Sequence, residues 1–284
     1  MRFGCHVRVA GGLVRAAKYA AEVGCECMQI FAKSPRMWRG PAMNADVARE
    51  FAEARSDLGL TPLFVHTAYL INLGSADDTL WERSVSALAD ELARAAVLGA
   101  DGVVTHIGTR CDVETGACAD RVAEGVAEAL RRSPDAPRLL LENSAGAGST
   151  FGGAFAEIGR TLCRLEALGA PRVDVCLDTC HAHASGVDLS SAAAWTAAMD
   201  EFDATCGSGR LALLHANDAA SGLGSHRDRH AWIGDGEIGY AGFEAMVCEP
   251  RLEAVPVIME MPGDAPYKDV ENLRRLRQLR ERCR

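Results

Sequence analysis

The sequence predicts an α/β fold, a single TIM-type (β/α)8 barrel over residues 1–284, and three observations carry that expectation. Short apolar or β-branched runs alternate along the whole chain with Ala/Leu/Glu/Arg-rich stretches of helical period. There are eight of each, and no linker, low-complexity stretch or composition break divides them. Near-continuous apolar strands separated by helices make a parallel sheet covered on its outer face, and eight such units close on themselves. The chain is also long enough, since such barrels run to about 250 residues.

In chain order, RFGCHV at 2–7 precedes a helical stretch near 13–23, and CMQIF at 27–31 precedes one near 45–58. TPLFVH at 61–66 leads to 77–98, GVVTHI at 102–107 to 119–132, and RLLLEN at 138–143 to 154–168. VDVCLD at 173–178, LALLHAN at 211–217 and VPVIME at 255–260 are followed by helical stretches near 190–205, 241–248 and 269–282. Each strand run is short and apolar, and each following stretch repeats its apolar residues at the spacing of one helix face.

Composition narrows the function classes. Apolar residues are 48% and charged residues 24%, an ordinary globular balance. No apolar run is long enough to cross a bilayer, and the start MRFGCHVRVAGG lacks a signal-peptide pattern, so a cytoplasmic protein with no membrane partner is expected. Eleven cysteines are an odd number, no CxxC pair occurs, and Cys27, Cys163 and Cys176 lie in strand- or helix-like stretches. Reduced thiols are therefore expected, and a zinc ribbon or thioredoxin-type site is not. The formal net charge of −9 counts on its face against a polyanionic partner. A local patch decides binding, however, and divalent ions in a carboxylate-lined cleft would reverse its sign.

Polar residues fall where such a barrel carries its chemistry, at the C-terminal ends of the strands. His66, His106, Glu142, Asp178, His215 and Glu260 mark the ends of the third to eighth strands. Any one alone is an ordinary polar residue at the wet edge of a sheet. Six converging on one mouth would be costly unless a cation paired with them, and imidazole plus carboxylate suits zinc or a similar ion. Six such donors exceed what one ion usually takes, so at least two ions are implied. Further donors lie in the loops: His181 three residues after Asp178, with His183 as its alternative, and Asp228 and His230 two apart in SHRDRH. Together they have the composition of an open catalytic site. His6 and His226 read as structural.

Other features carry less. LVRAAKYAAEVG is an amphipathic helix covering the barrel, AGAGS at 145–149 lacks the P-loop lysine, and Cys176 and Cys180 have no identified base. The basic C-terminal NLRRLRQLRERCR reads as a solvated helix face.

Several segments together resemble the endonuclease IV family of metal-dependent apurinic/apyrimidinic endonucleases. They are GCHVRVAGG at the start, HTAYLINLGS at 66–75, LENSAGAGST at 141–150, CLDTCHAHASGVDL at 176–189, LHANDA at 214–219, GSHRDRHAWIGDGEIG at 224–239 and the final VIMEM. The resemblance runs from the first strand to the eighth. It implies a DNA-repair hydrolase that holds three zinc ions, with manganese compatible at one or more positions, and incises double-stranded DNA 5′ to an abasic site. By the same resemblance His66, His106 and Glu142 hold one ion, Glu142 bridges to a second held with Asp178, His215 and Glu260, and His181, Asp228 and His230 hold the third.

Products would be a 3′-hydroxyl and a 5′-deoxyribose phosphate, with Glu142 as the catalytic candidate that orients the attacking hydroxide. For DNA contact, AKSPRMWRG offers Lys33, Arg36, Trp38 and Arg39, and the resemblance marks Arg36, Tyr69 and Leu70 as the penetrating positions. A monomer is expected. Two departures touch the substrate loops: IGTR follows His106 where the family has Pro-Gly-Ser-His, and MEM ends the last strand where a threonine often follows the glutamate.

Two other function classes compete. A sugar isomerase or epimerase of the xylose isomerase-like barrel type would need only Glu142, Asp178, His215 and Glu260, and leaves His66, His106, His181, Asp228 and His230 unexplained. A damage-binding module without catalysis would be expected to have lost ligands, and the set is intact.

Overall fold

The computed structural model describes residues 1–109, 115–170, 173–265 and 267–283. Eight parallel strands close a barrel: β1 (Phe3–His6), β2 (Cys27–Phe31), β3 (Leu63–His66), β4 (Gly102–His106), β5 (Arg138–Glu142), β6 (Val173–Asp178), β7 (Leu211–His215) and β10 (Val257–Met259). They are neighbours in chain order, and β1 completes the ring by pairing with both β2 and β10. Eight helices follow the strands on the outside: α1 (Leu13–Glu22), α2 (Ala45–Asp57), α3 (Asp78–Val97), α4 (Thr115–Arg132), α5 (Phe155–Ala167), α7 (Ala192–Cys206), α8 (Gly239–Cys248) and α9 (Lys268–Arg282). Asn44, Asp77 and Ser191 start α2, α3 and α7 by accepting the first-turn N–H groups that no helix can satisfy internally.

Side chains alternate across a strand, and that alternation builds the site. Cys27, Phe64, Val104, Leu140, Cys176, Leu213 and Ile258 form a dry cluster inside the barrel, one residue from each of seven strands. On β1 the equivalent place belongs to Gly4, where an added Cβ would lie 2.0 Å from the Cys27 carbonyl oxygen, so only glycine fits. Two residues further along each strand comes the next inward layer: His6, Gln29, His66, His106, Glu142, Asp178, His215 and Glu260. An apolar plug therefore floors a ring of polar groups. The larger core, with Phe3, Phe51, Phe155, Trp195, Phe202 and Phe243, lies between sheet and helices.

Four features differ from the sequence expectation. The segment after Asp178, read as a loop, is a short helix, α6 (Thr179–Ser185), ended by Gly186 at φ 110°. It forms because Asp178 is both the last strand residue and the helix cap, its carboxylate accepting from His181 N–H at 2.8 Å. The loop after β7 carries a two-stranded ladder, β8 (Asp218–Ala219) against β9 (His230–Ala231).

Cysteine chemistry also needs correction, because Cys248 at the end of α8 and Cys283 beyond α9 form a disulfide across 35 residues of sequence. The other eight described cysteines are free thiols, and Cys27 and Cys176 are buried as expected. Lastly, α9 is no free solvated face. Arg277 donates to the Gly24 carbonyl, Arg280 to Met1 O at 2.9 Å and to Glu26 at 3.2 Å, and Arg275 to Ile233 O at 2.7 Å, which clamps the last helix onto the chain start. Of the departure IGTR, Arg110 lies outside the described residues.

Candidate metal centre

The polar ring is almost dry. His66, Glu142, Asp178 and His215 are each at most 3% exposed. The register sets His106 beside Glu142 and Asp178 beside His215 on neighbouring strands. Glu142 sits at the middle and divides its two oxygens. Oε2 lies 3.0 Å from His66 Nε2 and 3.4 Å from His106 Nε2, whereas Oε1 lies 2.9 Å from His215 Nδ1. Donor atoms of His66, His106 and Glu142 lie within 4.8 Å of one another, and so do those of Glu142, Asp178, His215 and Glu260. One carboxylate thus belongs to two donor groups, the geometry of a bridging ligand.

A third cluster adjoins these two: donor atoms of Asp178, His181 and His230 lie within 4.8 Å of one another, and so do those of Cys180, Asp228 and His230. Helix α6 brings His181 Nε2 to 3.3 Å from Asp228 Oδ2, and β9 brings His230 Nε2 to 3.2 Å from Asp228 Oδ1. His230 Nε2 also lies 3.9 Å from Asp178 Oδ2. Asp228 is 58% exposed at its side chain, so this group faces the open mouth. His183 belongs to none of the donor groups among the described residues, and both its ring nitrogens are buried away from them without hydrogen bonds. Of the two, His181 is the one that joins a donor group among the described residues.

Outer contacts on four of the imidazoles leave the other ring nitrogen free to coordinate. His66 Nδ1–H donates to Thr67 O at 2.8 Å, His181 Nδ1–H to Asn143 O at 3.0 Å, and His230 Nδ1–H to Glu260 O at 3.0 Å. A carbonyl only accepts, so a proton sits on that nitrogen, and the other presents a lone pair once an ion displaces its proton. His215 is held the other way round: its Nε2–H donates to Gln29 Oε1 at 2.9 Å and turns Nδ1 toward the carboxylates. His230 Nε2 is buried, and the carboxylate 3.2 Å away, Asp228, does not meet it in good hydrogen-bond geometry. A buried nitrogen between carboxylates is held by a proton or, in its place, by a bound cation. The set of imidazoles and carboxylates is the donor chemistry of zinc.

Without an ion, protons have to stand in. Burial pushes His181 down, but Asp178, Asp228 and Glu142 outweigh it and hold its pKa at about 10. Burial likewise lowers His230, and Asp228 and Asp178 raise it to about 9. Asp228 itself is pulled far below the carboxylate range by His181 and His230. Burial would raise Glu142, yet the surrounding imidazoles, His106 and His215 first, hold it well below its ordinary value. His106 is lowered by burial and by the neighbouring imidazoles.

Sequence reading missed the residues that aim the ligands. Gln29 is fully buried and, besides holding His215, donates to Glu260 Oε1 at 2.9 Å. Asn217 donates to Asp178 Oδ2 at 2.6 Å and accepts from Glu260 N at 2.8 Å. Asn143 accepts from Asp178 N at 2.7 Å. A polar residue inside CMQIF, and an asparagine two places after His215, were the available signals. His6 is the structural residue expected, with Nδ1 at 3.0 Å from Glu260 Oε1.

Around the mouth, Tyr69 is 63% exposed, with its ring 5.9 Å from His66 and 6.5 Å from His106. Leu70 follows it half-buried, and Arg36 and Arg39 are exposed. Lys33 is a correction. Its ammonium is buried in an ion pair with Glu91 and lies 3.7 Å from Asp90, so it cannot reach a phosphate. Trp38 pins its loop, with the Arg83 guanidinium 4.2 Å from its ring centre.

Comparison with known proteins bears on the same residues. The family model described as xylose isomerase-like TIM barrel matches residues 17–281. The probable endonuclease 4 of Halothermothrix orenii is 37% identical over 279 residues, covering 98% of this chain and all of that protein. The crystal structure of endonuclease IV from Thermus thermophilus superposes with a TM-score of 0.87 at 38% identity, covering 99% of this chain and 100% of that one. A D-tagatose 3-epimerase-like protein superposes with a TM-score of 0.77 at 16% identity, covering 100% of this chain and 98% of that one, a likeness of fold alone.

Proposed function

We propose, given that this chain belongs to the endonuclease 4 family of xylose isomerase-like TIM barrels, that it is a DNA-repair hydrolase that cleaves the phosphodiester 5′ to an abasic site with three zinc ions. The observation that carries the three-ion reading is the division of Glu142 between two donor groups, with the His181, Asp228 and His230 group beside them. A sugar epimerase needs only the group around Glu142, Asp178, His215 and Glu260, and it gives no use to His181, Asp228 and His230 gathered at the mouth.

His66, His106 and Glu142 would hold one ion, Glu142, Asp178, His215 and Glu260 the second, and His181, Asp228 and His230 the third. When bound, the ions supply neutralisation of phosphoryl charge and activation of water, which phosphodiester hydrolysis requires. Glu142 orients the attacking oxygen through the carboxylate that reaches both inner groups. Gln29, Asn143 and Asn217 keep the donors in place, so little reorganisation is left for the reaction itself. Tyr69, beside His66 and His106, and Leu70 after it would fill the gap left by a missing base, and Arg36 would contact the backbone. Products are a 3′-hydroxyl and a 5′-deoxyribose phosphate.

Incision of a duplex with one synthetic abasic site tests the reading. The wild-type chain should cut 5′ to the lesion, and Glu142→Gln should lose at least about 100-fold in rate, the lower end of the 10²–10⁴ that one positioned general base contributes. Undiminished cleavage by that variant, or no cleavage by metal-loaded wild type, defeats it.

A further inference from the structure

The loop between β8 and α8 holds two of the third group's donors, and it is folded around a single buried carboxylate. Asp218 is fully buried and makes no ion pair among the described residues. Its charge is met by backbone alone. Oδ1 accepts from Ala219 N at 2.8 Å, Ile238 N at 3.0 Å and Gly239 N at 3.3 Å, and Oδ2 accepts from Gly234 N and Gly236 N, each at 2.9 Å. A buried carboxylate is tolerated only when its lone pairs are filled, and here they are filled by the far end of the loop.

That closure has a geometric consequence. Drawing residues 234–239 onto Asp218 pulls the loop back to its own start, and the β8–β9 ladder then sets Asp218 opposite Ala231 and Ala219 opposite His230. Gly236 has no room for a side chain: a Cβ there would lie 2.4 Å from Ala219 O and 2.6 Å from Asp218 Oδ1. The tip is tied in turn to the helix that carries His181, since Gly224 N donates to His183 O at 3.0 Å and His226 N to Ala184 O at 2.9 Å.

We propose that Asp218 is a positioning residue for the third metal site: its backbone-filled carboxylate closes the 219–239 loop and so fixes Asp228 and His230 opposite His181. This rests on the three-ion reading above. Asparagine in its place would offer one oxygen and turn an NH2 toward N–H donors, which releases the loop while keeping the volume.

The test is reloading of metal-stripped full-length protein with zinc alone, in competition with a chromophoric chelator. Wild type should take three ions. In Asp218→Asn two should bind as in wild type and one should weaken by about 10–100-fold, the usual cost of losing an outer contact. Gly236→Ala, which forces apart the same closure while leaving the carboxylate's own chemistry unchanged, should weaken the same ion and carries the test alone if the first variant does not fold. Three ions at wild-type affinity in a folded variant overturn the proposal, and so does equal weakening of all three, which marks a general structural role. Fewer than three ions in wild type would defeat the three-ion reading itself, before any variant is compared.

Discussion

At the scale of single residues, the candidate site is a problem of charge. Four carboxylates, Glu142, Asp178, Asp228 and Glu260, share one opening with six imidazoles, and in the absence of metal these imidazoles are their ion-pair partners among the described residues. His181 and His230 have pKa values of about 10 and about 9, both raised from 6.5. A raised folded pKa gives stability that is full below the unfolded value and is lost as pH rises through the folded one. Metal-free protein should therefore become less stable between about pH 6.5 and 10, and metal loading should release protons near neutrality. Melting temperature against pH, with and without chelator, checks this; a metal-free curve flat from about pH 7 to 10 contradicts it. The two helix histidines separate cleanly as well. His181→Ala should lose one of three ions by elemental analysis, whereas His183→Ala should keep all of them.

At the scale of elements, α3 joins two segments of the mouth. Glu91 accepts from Ala68 N at 3.1 Å, directly before Tyr69, and pairs with Lys33 at the start of the loop that carries Arg36. Arg94, on the same helix, donates to Gly40 O at 3.0 Å at that loop's end. Breaking a buried pair costs about 3–5 kcal/mol because it strands a charge. Glu91→Gln should fall at the low end, since Asp90 remains 3.7 Å from Lys33. We expect a lower melting temperature, a raised KM for abasic duplex and a kcat within about threefold of wild type, since an interaction that binds ground and transition state alike moves KM and leaves kcat. A loss confined to kcat would show that the two loops do not depend on this pair.

Across the whole molecule, closure of the barrel brings donors far apart in sequence into one group, so metal and fold should be linked. An ion that binds only the folded chain stabilises it by about 2.7 kcal/mol at one hundred times its dissociation constant. Chelation should lower the melting temperature measurably, and reloading with zinc should restore it; a melting temperature indifferent to chelator would mean that the donor groups hold no ion. The Cys248–Cys283 bond adds a second tie, holding the end of α8 to the end of α9. No helix among the described residues is long and apolar enough to cross a membrane.

The sequence by itself determined the barrel and its ring of polar donors. Both follow from local periodicity: an apolar run ending in His, Glu or Asp places that residue inward, two steps above the apolar plug, whatever the rest of the chain does. The same rule would have found Gln29, two places after Cys27, had a neutral polar residue been counted with the charged ones. Only the tertiary structure decided the rest. Asn143, Asn217 and Asp218 act through bonds to backbone and side chains that their own segments do not reveal. Lys33 is basic and near the mouth, yet the position of Glu91, 58 residues away, removes it from any DNA surface. His181 and His183 are alike in sequence and differ only in which way a short helix, capped by Asp178, turns them. Cys248 and Cys283 meet because α8 and α9 end side by side. Periodicity specifies the face a side chain takes, but which distant group meets it there is set by closure of the barrel.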